Sequence, residues 1–194
     1  SLLNISFGFL IAMVVGILMA VFAAKHNWFK QLLAPLIFTV KSIPVASFII
    51  LVLIWVRSAQ LSIVISFLMV FPIFYENVRK GIEMCDQQLL EMADVFELST
   101  FTRIRYIYTS SVLPYFQSAC SLALGLAWKS GIAAEVIGLP KFSIGEHLQQ
   151  AKVYFDTTDL FAWTLVIILL STVLEKLVMA LIRMIIKYIE TECL

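Results

Sequence analysis

Long apolar runs alternate with short polar intervals along the chain, and this pattern predicts helices that cross a bilayer. Residues 2–24, 34–56, 61–78, 114–137 and 160–182 each approach the roughly 20 apolar residues that a hydrocarbon core of about 30 Å requires. Two of the runs carry a face. Gly8, Ala12, Gly16, Ala20 and Ala24 recur every fourth position in the first. Ala119, Ala123, Ala127, Gly131 and Glu135 do the same in the fourth, with Ser121, Gly125 and Lys129 as a second row. Small residues at that spacing let helices approach closely, so these rows should face protein rather than lipid. The second run is interrupted by Lys41 and Pro44. Pro44 lacks an N–H and should kink or break the helix.

The longest strongly polar interval, residues 88–114 (QLLEMADVFELSTFTRIRYIYTSSVLP), separates the third and fourth runs and reads as two short amphipathic helices. In the first, Leu89, Ala93 and Phe96 share a face while Glu91, Asp94 and Glu97 point away. In the second, Phe101, Ile104 and Tyr108 repeat at helical spacing beside Arg103 and Arg105, and Ser99 is placed to cap its start. A charged, structured hairpin between two spans offers a docking surface. A second amphipathic segment, residues 141–156, puts Ile144, Leu148, Ala151 and Phe155 at helical spacing, with Glu146, His147, Gln149 and Gln150 facing away. It reads as a helix lying along the opposite membrane surface.

Composition agrees with the pattern. A hydrophobic fraction of 61% and a mean hydropathy of +0.97 exclude a soluble globular protein, for which about 45–50% is usual. Lys25, Lys30, Arg79, Lys80, Arg103, Arg105, Arg183 and Lys187 gather on one side of the predicted spans, against Arg57, Lys141 and Lys152 on the other. By the positive-inside rule, the 88–114 hairpin and the C-terminus are cytoplasmic. The net charge of +1 carries little information, and no basic patch with interleaved aromatics points to nucleic acid. Cys85, Cys120 and Cys193 have no metal-ligand spacing and read as free thiols. No basic n-region marks a signal peptide.

There is no phosphate-cradling loop, nucleophile elbow, H-E-x-x-H pair or carboxylate dyad, and both histidines fall in loops. No catalytic residue, metal site or cofactor is therefore expected on this chain. Charges inside spans are costly, about 2.5–3.5 kcal/mol each near the bilayer centre, and mark pathways or pairs. Lys129 and Glu135 stand six apart and cannot pair by i,i+4 contact. Either they line a translocation route or gate, with Lys41 and Glu76 as candidate partners, or they are structural ion pairs holding the bundle.

Glu91-Met-Ala93, then Leu98-Ser99 and Val112-Leu113-Pro114, resemble the EAA loop of binding-protein-dependent ABC import permeases. The KSIP sequence at Lys41–Pro44 with the apolar run to Trp55, and GLAWKSGIAAEVIG from Gly125 to Gly138, resemble the branch handling nitrate, sulfonates, taurine and thiamine-precursor-like molecules. The likeness covers about residues 8 to 176. It implies an all-α membrane protein, a single permease domain over residues 1–194 with the type I ABC importer architecture. About five spans lie in this chain, and relatives carry a further N-terminal helix, so a longer protein is expected. A cytoplasmic coupling hairpin over residues 86–110 would carry Leu89, Leu90, Glu91, Ala93, Asp94, Phe96, Glu97, Leu98 and Ser99 to the ATPase. Lys41, Glu76, Trp128, Lys129 and Glu135 are the pathway or gate candidates.

The implied partners are ABC ATPase subunits holding ATP and Mg, a second permease copy or paralogue, an extracytoplasmic binding protein and membrane lipid. The place is the cell membrane of a prokaryote. Three departures stand out: Glu97 occupies the usual Gly position that ends the first helix, the first Leu-Pro is replaced around Ser110, and the Gly after Trp55 is replaced at Val56-Arg57. Two readings from other classes remain open beside the permease. One is an ion-gradient-driven carrier using Lys129 and Glu135, which would leave the hairpin without a purpose. The other is a structural membrane scaffold.

Overall fold

A computed structural model describes residues 1–193, with side chains described for residues 1–184 and 186. The expectations attached to the side chains of Lys187, Glu190, Glu192 and Cys193, and to Leu194, lie outside the described residues. The described chain is helical, in eight helices. These are α1 (Leu2–Lys25), α2 (Asn27–Ser42), α3 (Val45–Leu53), α4 (Ser58–Glu83), α5 (Gln87–Val95), α6 (Thr100–Gly138), α7 (Ile144–Val153) and α8 (Thr157–Cys193).

The centre is a three-helix sandwich of α1, α4 and α6, and small residues explain it. A Cβ on Gly8 would lie 2.4 Å from the Ile63 carbonyl oxygen, and one on Gly16 would lie 2.8 Å from Phe74 Cβ. Residues 8 and 16 of α1 thus meet residues 63 and 74 of α4, so the two helices run parallel in near backbone contact. On the other side, Gly81 abuts Val112 and Gly138 abuts Leu61, which makes α6 antiparallel to α4. Ala119, Ala123, Ala127, Gly131 and Glu135 are all buried in that seam. Ser66 and Ser111 stitch it by donating their hydroxyls to the Ala127 carbonyl (3.2 Å) and the Gly81 carbonyl (2.9 Å). Phe9 meets Phe74 edge to face at 5.6 Å within the same core. The second row of α6 has the opposite fate: nothing lies within 4 Å of a Cβ on Gly125, and Lys129 is exposed.

The sequence placed one interrupted span at residues 34–56. The structure replaces it with two helices, because the helix starts earlier, at Asn27, and stops at Ser42. Pro44 forces Ile43 into extended backbone (φ −79°, ψ 132°), and α3 leaves at 105° to α2. Among the described residues, four helices are long and apolar enough to cross a membrane, or five if the bent α2–α3 pair counts as one span. The apolar stretch of α8 has no fully buried residue; Ile167, Leu170 and Leu174 pack half-buried against the core, and the rest of its circumference is available to lipid or to another chain.

At the end opposite α5, the α7 segment is capped by Ser143, which accepts from the Glu146 N–H at 3.0 Å. Phe155 was expected on the packed face of this helix. Instead α7 stops at Val153, Phe155 takes φ 57°, and its ring is 89% exposed.

Candidate functional site

The polar interval folds into a projecting element, α5, whose two ends are fixed by different local chemistry. At the start, Asp86 accepts the Gln88 N–H at 2.9 Å, a side-chain cap on an otherwise orphaned donor. At the end, the Glu97 N–H donates to the Asp94 carbonyl (3.1 Å) and the Leu98 N–H to the Ala93 carbonyl (2.9 Å). That pair of bonds is the Schellman arrangement, which requires a left-handed residue between helix and turn. Glu97 supplies it, with φ 51°. Of the two outcomes open to a non-glycine residue there, the chain adopts the strained backbone rather than a different helix end.

Ser99 then caps the next helix as expected, accepting the Thr102 N–H at 3.2 Å. The helix it starts is not a second short piece of a hairpin. Residues 100–138 form one 39-residue helix, interrupted only by a π-helical stretch, Arg103–Tyr108. The extra residue per turn is absorbed without a break, and Thr109 donates its hydroxyl to the Ile104 carbonyl at 2.7 Å. The projecting helix α5 is therefore joined directly to a helix long and apolar enough to cross a membrane.

Arg103 is the joint. Its guanidinium donates to the Leu98 carbonyl (Nε, 2.9 Å), to the Ala93 carbonyl (Nη2, 3.2 Å) and to the Asp94 carboxylate. One side chain of α6 thus holds the last turn of α5 and the turn that follows it. Sequence reading listed Asp94 among the outward charges and missed this staple; the opposed charges of Asp94 and Arg103 across the Leu98-Ser99 turn were its available signal.

With its end tied down, α5 presents most of its surface. Ala93 is fully buried and Leu90 and Leu98 half-buried, while Leu89, Glu91, Asp94, Glu97 and Ser99 are exposed. Met92, Val95 and Phe96 are exposed as well, the last two at 80% and 69%. The face shared by Leu89, Ala93 and Phe96 is consequently divided: Ala93 goes under the Arg103 staple and the two larger residues stay outside.

The five pathway candidates do not converge. Lys41 and Glu76 pair with each other at 2.8 Å, not with Lys129 or Glu135, because α2 folds back antiparallel along α4. They line a cleft of about 400 Å³ with Lys30, Tyr75 and Arg79. Nearby, Glu83 takes Lys30 at 2.8 Å and Arg79 at 2.6 Å. Trp128 is buried between α6 and α8, where its indole N–H donates to the Ile167 carbonyl at 3.3 Å. Glu135 is 1% exposed, sealed because Gly145 lets α7 lie against it; a Cβ at 145 would be 2.5 Å from Glu135 Cβ. The Ser1 hydroxyl donates to Glu135 Oε2 at 2.5 Å and accepts the Ile144 N–H at 3.0 Å. Lys129 stands apart on the open face of α6. No group of three or more His, Cys, Asp or Glu suited to a metal occurs among the described residues.

The model of the family described as binding-protein-dependent transport system inner membrane component matches residues 12–190. A Bacillus subtilis (strain 168) protein, SsuC, provisionally named an aliphatic sulfonates transport permease protein, is 24% identical over 190 residues, covering 97% of this chain and 68% of its own. The bicarbonate transport system permease protein CmpB of Synechococcus elongatus is 24% identical over 189 residues, covering 96% and 68%. The nitrate import permease protein NrtB of Leptolyngbya laminosa is 24% identical over 139 residues, covering 71% and 50%.

Proposed function

Because the chain belongs to the family of binding-protein-dependent transport system inner membrane components, we propose that it is the membrane-spanning permease subunit of an ATP-driven importer, worked by a separate ATPase that docks on α5. The observation that carries this reading is the joint: an exposed helix with apolar and acidic groups, tied by Arg103 to a helix that continues as a span. The positive-inside rule makes the α5 end cytoplasmic. ATP and Mg belong to the ATPase, and this chain contributes no group to hydrolysis. Its own work is mechanical. Closure of two ATPases displaces α5, and α6 moves with it, carrying the close-packed α4 and α1 as one body between inward-open and outward-open states.

Five spans enclose little, so the pathway forms between two permease copies or paralogues. The open row of Ser121, Gly125 and Lys129 on α6 supports this, since small residues facing away from their own chain leave room for another helix. Lys129 lies on that pathway or its gate, Lys41 and Glu76 guard the cytoplasmic cleft, and Glu135 with Trp128 sets how α6 meets α7 and α8 at the outer end. The solute is a small anion delivered by an extracytoplasmic binding protein. Supporting this, the three relatives are named for sulfonates, bicarbonate and nitrate, and the cleft carries Lys30, Lys41 and Arg79 against Glu76. The ion-driven carrier gains no support, because Lys129 is exposed and Glu135 is buried on a different face of α6.

The test is to purify the tagged chain in mild detergent from its native host, as wild type and as Glu91→Lys, and identify what accompanies it. An ATPase subunit retained by wild type and lost from the variant supports the docking role. A well-folded wild-type preparation without an ATPase overturns it. Unchanged uptake by a normally assembled Lys129→Met complex would remove Lys129 from the pathway.

A further inference from the structure

Between α1, α4 and the π-helical start of α6 lies an apolar groove of about 500 Å³, separate from the α2–α4 cleft. Val21, Ile82, Leu113 and Phe116 are among the side chains that line it, and Lys25 and Tyr108 lie on it too. We propose that this groove binds an anionic phospholipid, with acyl chain laid along α1 and phosphate held by Lys25 and the Tyr108 hydroxyl.

Three observations select that occupant. Lys25 is the one charged residue lining the groove; it is exposed and has no hydrogen bond or ion pair among the described residues, and no carboxylate lines the groove to satisfy it. Tyr108 likewise has no hydrogen-bond partner there, so a cation and a hydroxyl donor are both left for an anion. Lys25 also stands at headgroup depth. Beside it Phe22 packs on His26 and Phe29 (4.7 Å each) and on Trp28 (6.4 Å), an aromatic cluster of the kind that marks a membrane interface.

From Lys25 the groove runs to Ile17, a depth of about 12 Å at the helical rise. An apolar slot with its one cation at the headgroup end suits a lipid whose acyl chain follows α1. Basic pockets between spans on the cytoplasmic side are a known class of lipid headgroup site.

The assembled transporter, purified from membranes containing phosphatidylglycerol and phosphatidylcholine of matched acyl chains, would be examined by native mass spectrometry. Wild type should retain phosphatidylglycerol about fivefold over phosphatidylcholine, equivalent to about 1 kcal/mol for one basic side chain. Lys25→Gln should bring the ratio to about one, Lys25→Arg should preserve it, and Val21→Trp should expel both lipids. Lys80→Gln, an exposed cation at the same end but outside the groove, should leave the ratio unchanged. The proposal falls if wild type shows no preference or if Lys80→Gln acts as strongly as Lys25→Gln. It falls equally if a cysteine at position 21 cross-links to another protein segment filling the groove. None of these readouts uses ATP or uptake, so a failure here is distinct from a failure of the permease reading.

Discussion

Glu97→Gly should tighten the end of α5. In the native chain Glu97 holds φ 51° so that its own N–H and that of Leu98 can close the turn on Asp94 and Ala93. A left-handed backbone costs a residue with a Cβ about 1–2 kcal/mol, whereas glycine adopts it freely. Against this gain, glycine gives the open chain more freedom, a loss of about 0.4–1 kcal/mol. Glu97 is exposed and has no ion pair among the described residues, so its removal deletes no contact. The net gain is about 0.5–1 kcal/mol, a two- to fivefold smaller population of the opened turn. Hydrogen exchange at the Leu98 amide reads that population directly, since this N–H is held by the turn alone. Exchange should slow two- to fivefold in Glu97→Gly, and quicken in Glu97→Val, where a β-branched residue bears more strain. Unchanged or faster exchange in the glycine variant would refute the claim that this backbone is strained.

Two further outcomes test the packing and the junction. Gly8→Ala should destabilise the purified chain by about 1–3 kcal/mol in thermal unfolding, because its new methyl meets the Ile63 backbone, which no rotamer change can relieve. Gly125→Ala, with open space around it, should be neutral or slightly stabilising, and equal shifts for the two would contradict the α1–α4 contact. Burial, and secondarily the neighbouring Asp86 charge, pushes the Cys85 thiol up. With Cys120 and Cys193 replaced by Ala, alkylation at pH 8 should be slower than in the denatured chain. Its rate should keep rising beyond the ordinary thiol midpoint near pH 8.5, because the reactive thiolate forms later; equal rates at pH 8 would show that the thiol is not buried.

What the sequence made legible was whatever depends on spacing along one helix. The four-residue rows of α1 and α6 are spatial statements already, since glycine and alanine at that period have few uses other than close packing. Pro44 announces its break through covalent geometry alone. What stayed hidden depends on two elements meeting. Lys41 finds Glu76 only because α2 reverses along α4, and Glu135 is sealed only because Gly145 brings α7 over it. The polar first turns of α6 read as a separate short amphipathic helix, not as the start of a span, because Arg103 and Arg105 interrupt the apolar pattern. Arg103 is spent on tertiary contacts, which leave no periodic trace.

The same arrangement determines how a push on α5 can travel. Very little of α5 is buried, so hydrophobic contact alone would let it rock against the bundle. The Arg103 staple grips the Ala93 carbonyl, which also closes the Glu97 turn, and the Leu98 carbonyl one residue beyond that turn. Turn and staple thus reinforce each other, and α5 moves with the first turns of α6 or not at all. Arg103 itself opens the π-helical stretch, Arg103–Tyr108, whose wider turns interrupt the regular backbone ladder of an otherwise continuous rod. Further on, the Ser111–Gly81 hydrogen bond and the Gly81–Val112 contact clamp α6 to α4. A displacement of α5 is therefore divided between bending at Arg103–Tyr108 and rigid motion of α4 with α6, and the stiffness of that short stretch sets how much reaches the spans.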